Sequence, residues 1–262
     1  MQPELLLFDI GNTCIKVGLA DSRGVMTSYN LRTDPAQTSD SLGLTLLELL
    51  RHAGAEPRFT ACVASSVVPG FDPLLREAVQ RYLGCPLWMV PQDMPIPLQN
   101  HYERPQEVGA DRLVGAYEAR RLHPGPESLI VVDFGTATNI EVVDREGRFI
   151  GGVIAPGVDT SAAALFSRAT RLAAIDLVDP HTAIGGSTEQ AIQAGIVYGE
   201  ADRVDGLVRR IFAQLGYEAP VVATGGLAPR VAELSQTITA TNPELTLEGL
   251  RLIHEAQGGG VA

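Results

Sequence analysis

Apolar and polar positions in the first third of the chain alternate in blocks that predict strands first and helices later. The apolar run 4–8 ends in a polar turn, and a second apolar stretch, 15–20, ends in another turn at 21–24. This pattern predicts three consecutive strands joined by tight turns, a β-meander. Downstream spacing predicts helices at 41–52, 72–82 and 109–122, and strands at 59–68 and 87–90.

The opening pattern returns in the second half, after a breaker cluster at 123–126. Asp9 and Asp133 are 124 residues apart, and Gly24 and Gly147 are 123 apart. A nearly constant offset over strands and turns indicates an internal duplication. We therefore predict an α/β chain with two domains, 1–123 and 124–262. The second half is predicted to carry helices at 157–166 and 187–215, a strand at 220–223, and a strand and helix within 245–256.

Composition narrows the class of protein. The 262 residues, 45% of them hydrophobic, suffice for a sizeable core, and no apolar stretch approaches the roughly 20 residues of a membrane span. A formal charge of −11 argues against partners such as nucleic acid or an anionic membrane surface. The three cysteines form no CxxC pair, and the N-terminus lacks a basic leader. We expect a cytoplasmic protein without a disulfide framework or a zinc site.

Of the 20 basic residues only Lys16 is a lysine, and it follows the first predicted turn. That turn contains Asp9, Gly11, Asn12 and Thr13. Glycine lets backbone N–H groups approach phosphate oxygens, while Mg²⁺ would have to separate the Asp9 carboxylate from them. The alternative is a tight hairpin in which Asp9 bonds its own backbone.

Two further small-residue turns complete the pattern. The second copy, Asp133 to Thr138, supplies another carboxylate and two hydroxyl groups, and Thr224-Gly225-Gly226 follows a later strand. A glycine pair after a strand is also ordinary loop chemistry, so this third signal is weak by itself.

The order of these three turns resembles the two phosphate motifs and the adenosine motif of the acetate/sugar kinase, Hsp70 and actin superfamily. Within it, the segments at 109–112, 151–157 and 245–250 are similar to those of type III pantothenate kinase, over almost the whole chain. The resemblance implies two duplicated ribonuclease H-like domains with a nucleotide cleft between them. It also implies phosphorylation of pantothenate by Mg-ATP, the first step of coenzyme A synthesis.

The resemblance also assigns individual residues. Asp111 would be the catalytic proton acceptor, and Asp133 would bind a monovalent cation, K⁺ or NH₄⁺. The expected ATP contacts are Asp9, Ile10, Gly11, Asn12, Thr13, Cys14, Ile15, Lys16 and Thr136. The expected pantothenate contacts are Tyr102, Gly109, Ala110, Asp111, Arg112 and Thr188, the last donated across a homodimer interface.

Simpler interpretations of the same residues remain open at this point. Asp111 could cap the helix that begins there, Arg112 could form a surface ion pair, and Tyr102 could be a packing residue. Two rival functions also remain: another kinase or a polyphosphate phosphatase on the same fold, or a non-enzymatic relative that regulates transcription.

Overall fold

The computed structural model describes residues 2–123, 128–168 and 175–258, so the breaker at Pro124–Pro126 lies outside the described residues. The chain divides into two compact units. The first contains the chain up to Leu98, Glu103–Glu118 and the segment from Glu244 onward. The second contains Gln99–Tyr102 and Ala119–Pro243.

The first unit is built on a five-stranded sheet with the order β3-β2-β1-β4-β5. Its strands are β1 (Leu5–Ile10), β2 (Cys14–Asp21), β3 (Gly24–Arg32), β4 (Ala61–Ser66) and β5 (Leu87–Val90). Its helices are α1 (Ser39–His52), α2 (Asp72–Ala78), most of α3 (Ala110–Leu122) and α8 (Leu245–Ala256). A π-helical turn, Val79–Leu83, continues α2, and a 3₁₀ turn, Pro105–Glu107, precedes α3.

The second unit is built on a six-stranded sheet with the order β11-β10-β7-β8-β9-β6. Its strands are β6 (Gln99–Asn100), β7 (Leu129–Phe134), β8 (Ala137–Val143), β9 (Arg148–Pro156), β10 (Val221–Thr224) and β11 (Ala240–Thr241). Its helices are α4 (Val158–Arg168), α5 (Thr188–Gln193), α6 (Gly199–Leu215) and α7 (Ala228–Ala232). A π-helical turn, Ala194–Tyr198, joins α5 to α6.

The two sheets repeat one topology, as the sequence offset predicts. Strands β9-β8-β7-β10-β11 lie in the same order as β3-β2-β1-β4-β5. Even the irregularities match, because the second hairpin of each copy has a register shift, after Leu19 in β2 and after Val142 in β8. These positions are 123 residues apart, which is the offset of the two glycine turns.

Strand β1 is buried on both faces. Leu6, Phe8 and Ile10 belong to an apolar cluster with α1 and α2, while Leu5 and Leu7 join a second cluster with α3 and α8. Alternation along the strand therefore assigns Asp9, two residues after Leu7, to the α3 and α8 face.

Helix α8 is a structural part of the first unit, although it lies at the far end of the sequence. A Cβ on Gly18 would lie 2.8 Å from Leu247, and one on Gly249 would lie 2.7 Å from Val114 of α3. The Glu248 carboxylate also accepts the Val25 N–H at 2.5 Å. Because these two glycines have no side chain, α8 can contact both the sheet and α3 closely.

The C-terminal segment of the structure differs from the sequence-based predictions. The segment 245–256 is helical throughout, without the strand predicted for it, because its apolar residues face the first sheet at helical spacing. The same packing places this segment in the first unit, whereas the division at residue 123 assigns it to the second. No helix in the described parts of the chain is long and apolar enough to cross a membrane.

A buried carboxylate organises one end of the second unit. Asp205 on α6 is 3% exposed and accepts hydrogen bonds from the Ser235 and Thr237 hydroxyls and from the Gln236 and Thr237 N–H groups. Burial alone raises the pKa of Asp205, but these hydrogen bonds outweigh it and hold the pKa below its ordinary value. The carboxylate thereby fixes the loop between α7 and β11.

Replacing this carboxylate should destabilise the protein. In Asp205→Asn an amide N–H₂ group must face backbone donors, and we expect a loss of about 3 kcal/mol, comparable to losing a hydrogen bond to a charged group. Urea unfolding measures the change. Asp202→Asn, on the exposed side of the same helix, is the matched control and should change stability little. Equal stabilities of the two variants would contradict the proposed role.

Candidate active site

The first turn is a closed loop between β1 and β2. The Gly11 N–H donates to the Cys14 carbonyl at 2.9 Å, and the Thr33 hydroxyl, just after β3, donates to the Gly11 carbonyl at 2.7 Å. The Thr33 N–H also donates to the Thr13 carbonyl at 3.1 Å. Residues 12–14 remain exposed. Hydrogen bonds within the turn and to Thr33 therefore hold its backbone, while residues 12–14 stay accessible to a ligand.

Asp9 lies at the base of this turn, next to the end of β4. The Ser65 hydroxyl donates to its carboxylate at 2.9 Å, and the two residues are register partners in the parallel β1–β4 pair. Ser65 is not among the predicted site residues. The sequence could have indicated Ser65, because it lies near the end of a predicted buried strand and the ends of neighbouring parallel strands align.

Lys16 is the register partner of Asp9 on one side and of Asn30 on the other. Its ammonium group lies 3.1 Å from the Glu244 carboxylate, which also accepts the Ser28 hydroxyl at 2.9 Å. The lone lysine is thus held on the sheet face that carries Asp9. Glu244 directly precedes α8 and is likewise absent from the predicted site residues.

Cys14 lies at the start of β2, with its sulfur 3.6 Å from the Asn30 side-chain oxygen. Burial and the nearby Asp9 carboxylate raise the pKa of this thiol, while Lys16 acts in the opposite direction. The net rise disfavours the thiolate, the form that reacts with oxidants and alkylating agents.

Asp111 lies in the first turn of α3 and accepts the Arg112 N–H at 2.8 Å. A Cβ at Gly109 would lie 2.4 Å from its carboxylate oxygen, so only glycine leaves the carboxylate this position. Burial raises the pKa of Asp111, against the lowering effect of the Arg112 N–H and charge. The raised pKa marks a desolvated carboxyl group.

Contacts at the sheet edge bring these residues to one region of the first unit. The Val67 N–H, just after β4, donates to the Ile10 carbonyl at 3.0 Å, and the Val67 side chain lies 3.4 Å from the Cβ position of Gly109. The start of α3 therefore lies against the ends of β1 and β4. Asp9 and Asp111 lie at the same edge of the first sheet.

The second unit has an equivalent edge. Asp133 is the register partner of Asn139 in β8 and of Thr224 in β10. Gly225 has φ +92°, and a Cβ there would lie 2.5 Å from the Phe134 carbonyl and 2.7 Å from the Asp133 carboxylate. The Thr224-Gly225-Gly226 turn thus packs its backbone directly on the second carboxylate.

The two threonines of the second turn have different surroundings. Thr136 is exposed, and its carbonyl accepts the Gly157 N–H at 3.1 Å and the Thr160 hydroxyl at 2.6 Å. Thr138 is buried, and its hydroxyl donates to Glu200 on α6 at 2.6 Å. Thr136 is therefore accessible to a ligand, whereas Thr138 joins the turn to α6.

Comparison with known proteins identifies the family. The sequence profile of type III pantothenate kinase matches residues 5–210. A type III pantothenate kinase of Desulfovibrio desulfuricans is 55% identical over 258 residues, which cover 97% of each chain. The chain belongs to the type III pantothenate kinase family.

Solved structures with low sequence identity to this chain share its fold. A protein described as a Baf family transcriptional activator from Campylobacter jejuni matches 97% of this chain and 100% of its own, with a TM-score of 0.62 at 17% identity. A protein of Sinorhizobium meliloti, described as a 2-dehydro-3-deoxygalactonokinase, matches 96% of each chain, with a TM-score of 0.59 at 14% identity. These likenesses confirm the predicted fold of two ribonuclease H-like domains.

The remaining residues that the family resemblance selects are in the second unit. Tyr102 contacts Phe149 with ring centroids 6.2 Å apart, and its ring lies 3.5 Å from the Cβ position of Gly151. Thr188 is exposed at the first position of α5, after Ser187, whose side chain accepts the Gln190 N–H at 3.2 Å. Tyr102 is thus partly a packing residue, and Thr188 is accessible.

The residues around Asp133 fit a cation that prefers oxygen ligands. The side-chain oxygen of Asn139 is buried and has no hydrogen-bond partner among the described residues. It belongs to the cross-strand neighbour of Asp133, so a carboxylate and an amide oxygen share one sheet face. Within residues 2–123, 128–168 and 175–258, no group of three or more His, Cys, Asp or Glu side chains could hold a metal ion.

Proposed function

We propose that this chain transfers the γ-phosphoryl group of ATP to the primary hydroxyl of pantothenate, the first step of coenzyme A biosynthesis. The family profile and the 55% identical relative support this reaction. The observation that carries the assignment to this chain's own residues is the desolvated Asp111 carboxyl group beside Arg112. Both residues belong to the Gly-Ala-Asp-Arg segment that resembles the family's motif.

Asp111 is the proton acceptor in this proposal. Phosphoryl transfer depends mainly on positioning and charge neutralisation, with one acid–base group aligning the attacking hydroxyl. The raised pKa of Asp111 brings the carboxylate closer to the range in which a general base is efficient. Gly109 leaves room for the carboxylate, and the Arg112 N–H fixes one of its oxygens.

Pantothenate is itself a carboxylate, and Arg112 provides the matching charge. A guanidinium group can bind a carboxylate through two parallel hydrogen bonds. We propose Tyr102, Gly109 and Ala110 as further contacts, with Thr188 supplied by a second subunit. The exposed position of Thr188 and the 88% exposure of Ile184 nearby support a homodimer. Sedimentation measures this state directly.

The first turn binds the phosphate groups of ATP. Within the segment from Asp9 to Lys16, the exposed residues 12–14 supply backbone N–H donors and the Lys16 ammonium group supplies positive charge. Mg²⁺, when bound, neutralises phosphate charge, and the oxygen ligands of Asp9 suit it directly or through water. The ammonium group carries three donors, so Lys16 can contact phosphate while keeping Glu244. Thr136 adds a contact from the second turn.

Two finer assignments complete the proposal. Asp133, with the buried Asn139 oxygen beside it, would hold a monovalent cation, K⁺ or NH₄⁺. A cytoplasmic location is consistent with free thiols at all three cysteines.

One experiment tests the function as a whole. ADP release is measured with pantothenate and with a panel of other small alcohols, sugars and carboxylates, each with and without K⁺. Among these acceptors, we expect rapid ADP release only with pantothenate. Release with a sugar and not with pantothenate would favour another kinase of this fold, and no release with any acceptor would favour the regulatory alternative.

Asp111→Asn should fold and bind ATP normally but lose most turnover. An amide cannot accept the hydroxyl proton, and a general base contributes about 10²–10⁴-fold to the rate. Steady-state kinetics and ATP titration measure both properties. Gly109→Ala should also lower kcat, because its Cβ displaces the Asp111 carboxylate, whereas Gly115→Ala, with its Cβ position 3.8 Å from Leu245, is the matched control. A kcat above a third of wild type in Asp111→Asn would reject the assignment.

Lys16→Arg should raise the KM for ATP several-fold and leave the KM for pantothenate nearly unchanged. The planar guanidinium is bulkier than an ammonium group and prefers two partners. The melting temperature without ligand should barely change, because arginine keeps a partly exposed ion pair with Glu244. The stabilisation by Mg-ATP should shrink, since it follows affinity by mass action. Unchanged ATP affinity would mean that the lone lysine has no special role.

Asp133→Ala should weaken activity and remove its dependence on K⁺ or NH₄⁺. The variant loses the charged ligand, and the Asn139 oxygen alone is a poor cation site. A second readout is the melting temperature against K⁺ concentration, with Na⁺ at equal ionic strength as the control. K⁺ should stabilise the wild type and not the variant. The same K⁺ response in both proteins would show that Asp133 is not the ligand.

A further inference from the structure

Two of the three cysteines lie side by side in the first unit, apart from the turn that carries Cys14. Cys62 is the second residue of β4, and Cys85 lies in the short connection between the π-helical turn after α2 and β5. Their sulfur atoms are 3.3 Å apart. The Cys62 N–H donates to the Pro86 carbonyl at 2.7 Å, which fixes the two segments relative to each other.

The two thiols differ in access and in acidity. Cys62 is fully buried, whereas Cys85 is partly exposed. The hydrogen bond from Cys62 lowers the pKa of Cys85 against the opposing effect of burial. The same hydrogen bond, together with burial, raises the pKa of Cys62 well above its ordinary value. The thiol that reaches solvent is therefore the better nucleophile, and the buried thiol keeps its proton.

We propose that Cys62 and Cys85 form a peroxide-reactive dithiol, which closes to a disulfide within one chain. The Cys85 sulfur attacks a peroxide oxygen, the O–O bond breaks, and the products are a sulfenic acid on Cys85 and water. The Cys62 sulfur then attacks the Cys85 sulfur. The S–S bond forms, the S–O bond breaks, and the hydroxyl leaves with the Cys62 proton as a second water.

The local structure permits this closure with little movement. A disulfide has sulfur atoms about 2.05 Å apart, so the pair must approach by only a little more than 1 Å. Cys85 lies outside the sheet ladder, so its side chain can turn toward Cys62 while β4 and the hydrogen bond between Cys62 and Pro86 stay in place. Closure would also protect Cys85 from further oxidation, because the sulfenic acid is consumed before a second peroxide reacts.

Mass spectrometry of the full-length protein tests the proposal. The reduced chain is treated with limiting hydrogen peroxide, alkylated with N-ethylmaleimide after unfolding, and digested with trypsin, which separates the two cysteines at Arg76 and Arg81. We expect the loss of two hydrogen atoms, two fewer alkylated thiols, and one linked pair of peptides containing Cys62 and Cys85. Dithiothreitol should reverse all three changes.

Variants separate this pair from other outcomes. Cys14→Ala should form the same linked peptides at the same rate, because Cys14 takes no part. Cys62→Ala should leave Cys85 without a resolving thiol, so that Cys85 gains oxygen atoms instead. If Cys62→Ala fails to fold, Cys85→Ser replaces it, and its Cys62 should stay alkylatable after peroxide treatment. Stable oxygen adducts on Cys85 in the wild type, or links through Cys14 or between two chains, would overturn the proposal.

Discussion

The carboxylate at the end of a buried strand is the constraint on which the first unit depends. Every other residue of β1 is 7% exposed or less, so an unpaired charge within the strand would be costly. Asp9 is tolerated because it lies beside the exposed turn and accepts the Ser65 hydroxyl. Asp133 has the equivalent place in β7, next to Thr224. The two copies of the buried strand thus each end in a polar edge, and the two edges have different neighbours.

Local patterns in the sequence predicted much of the fold. The repeated meander was readable because each copy is contiguous and the offset is nearly constant. The residues that complete the first edge were not readable in the same way. Glu244 lies 228 positions after Lys16, and Ser65 lies 56 after Asp9. Such pairs form only when distant segments align, so no periodicity records them.

The reason for two of the glycines could likewise not be predicted from the sequence. The family resemblance selected Gly109 and Gly157 as parts of motifs, but only the structure gives the reason. A side chain on Gly109 would overlap the Asp111 carboxylate, and one on Gly157 would lie 2.3 Å from the Gly135 carbonyl. The raised pKa of Asp111 likewise depends on packing around α3 and is invisible in the four letters of its motif. Candidate site residues could be predicted from the sequence, whereas the direction of the Asp111 pKa shift could not.

The position of α8 has a consequence for biosynthesis of the protein. Its residues Leu247, Leu250 and Ile253 cover one face of the first sheet, yet the ribosome makes them after the whole second unit. Until then, Leu5 and Leu7 of β1 lack part of their apolar cover. Because domains fold as they emerge during synthesis, the second unit can complete its core before the first does. The nascent chain thus exposes an open sheet face until the last residues of this helix have been synthesised.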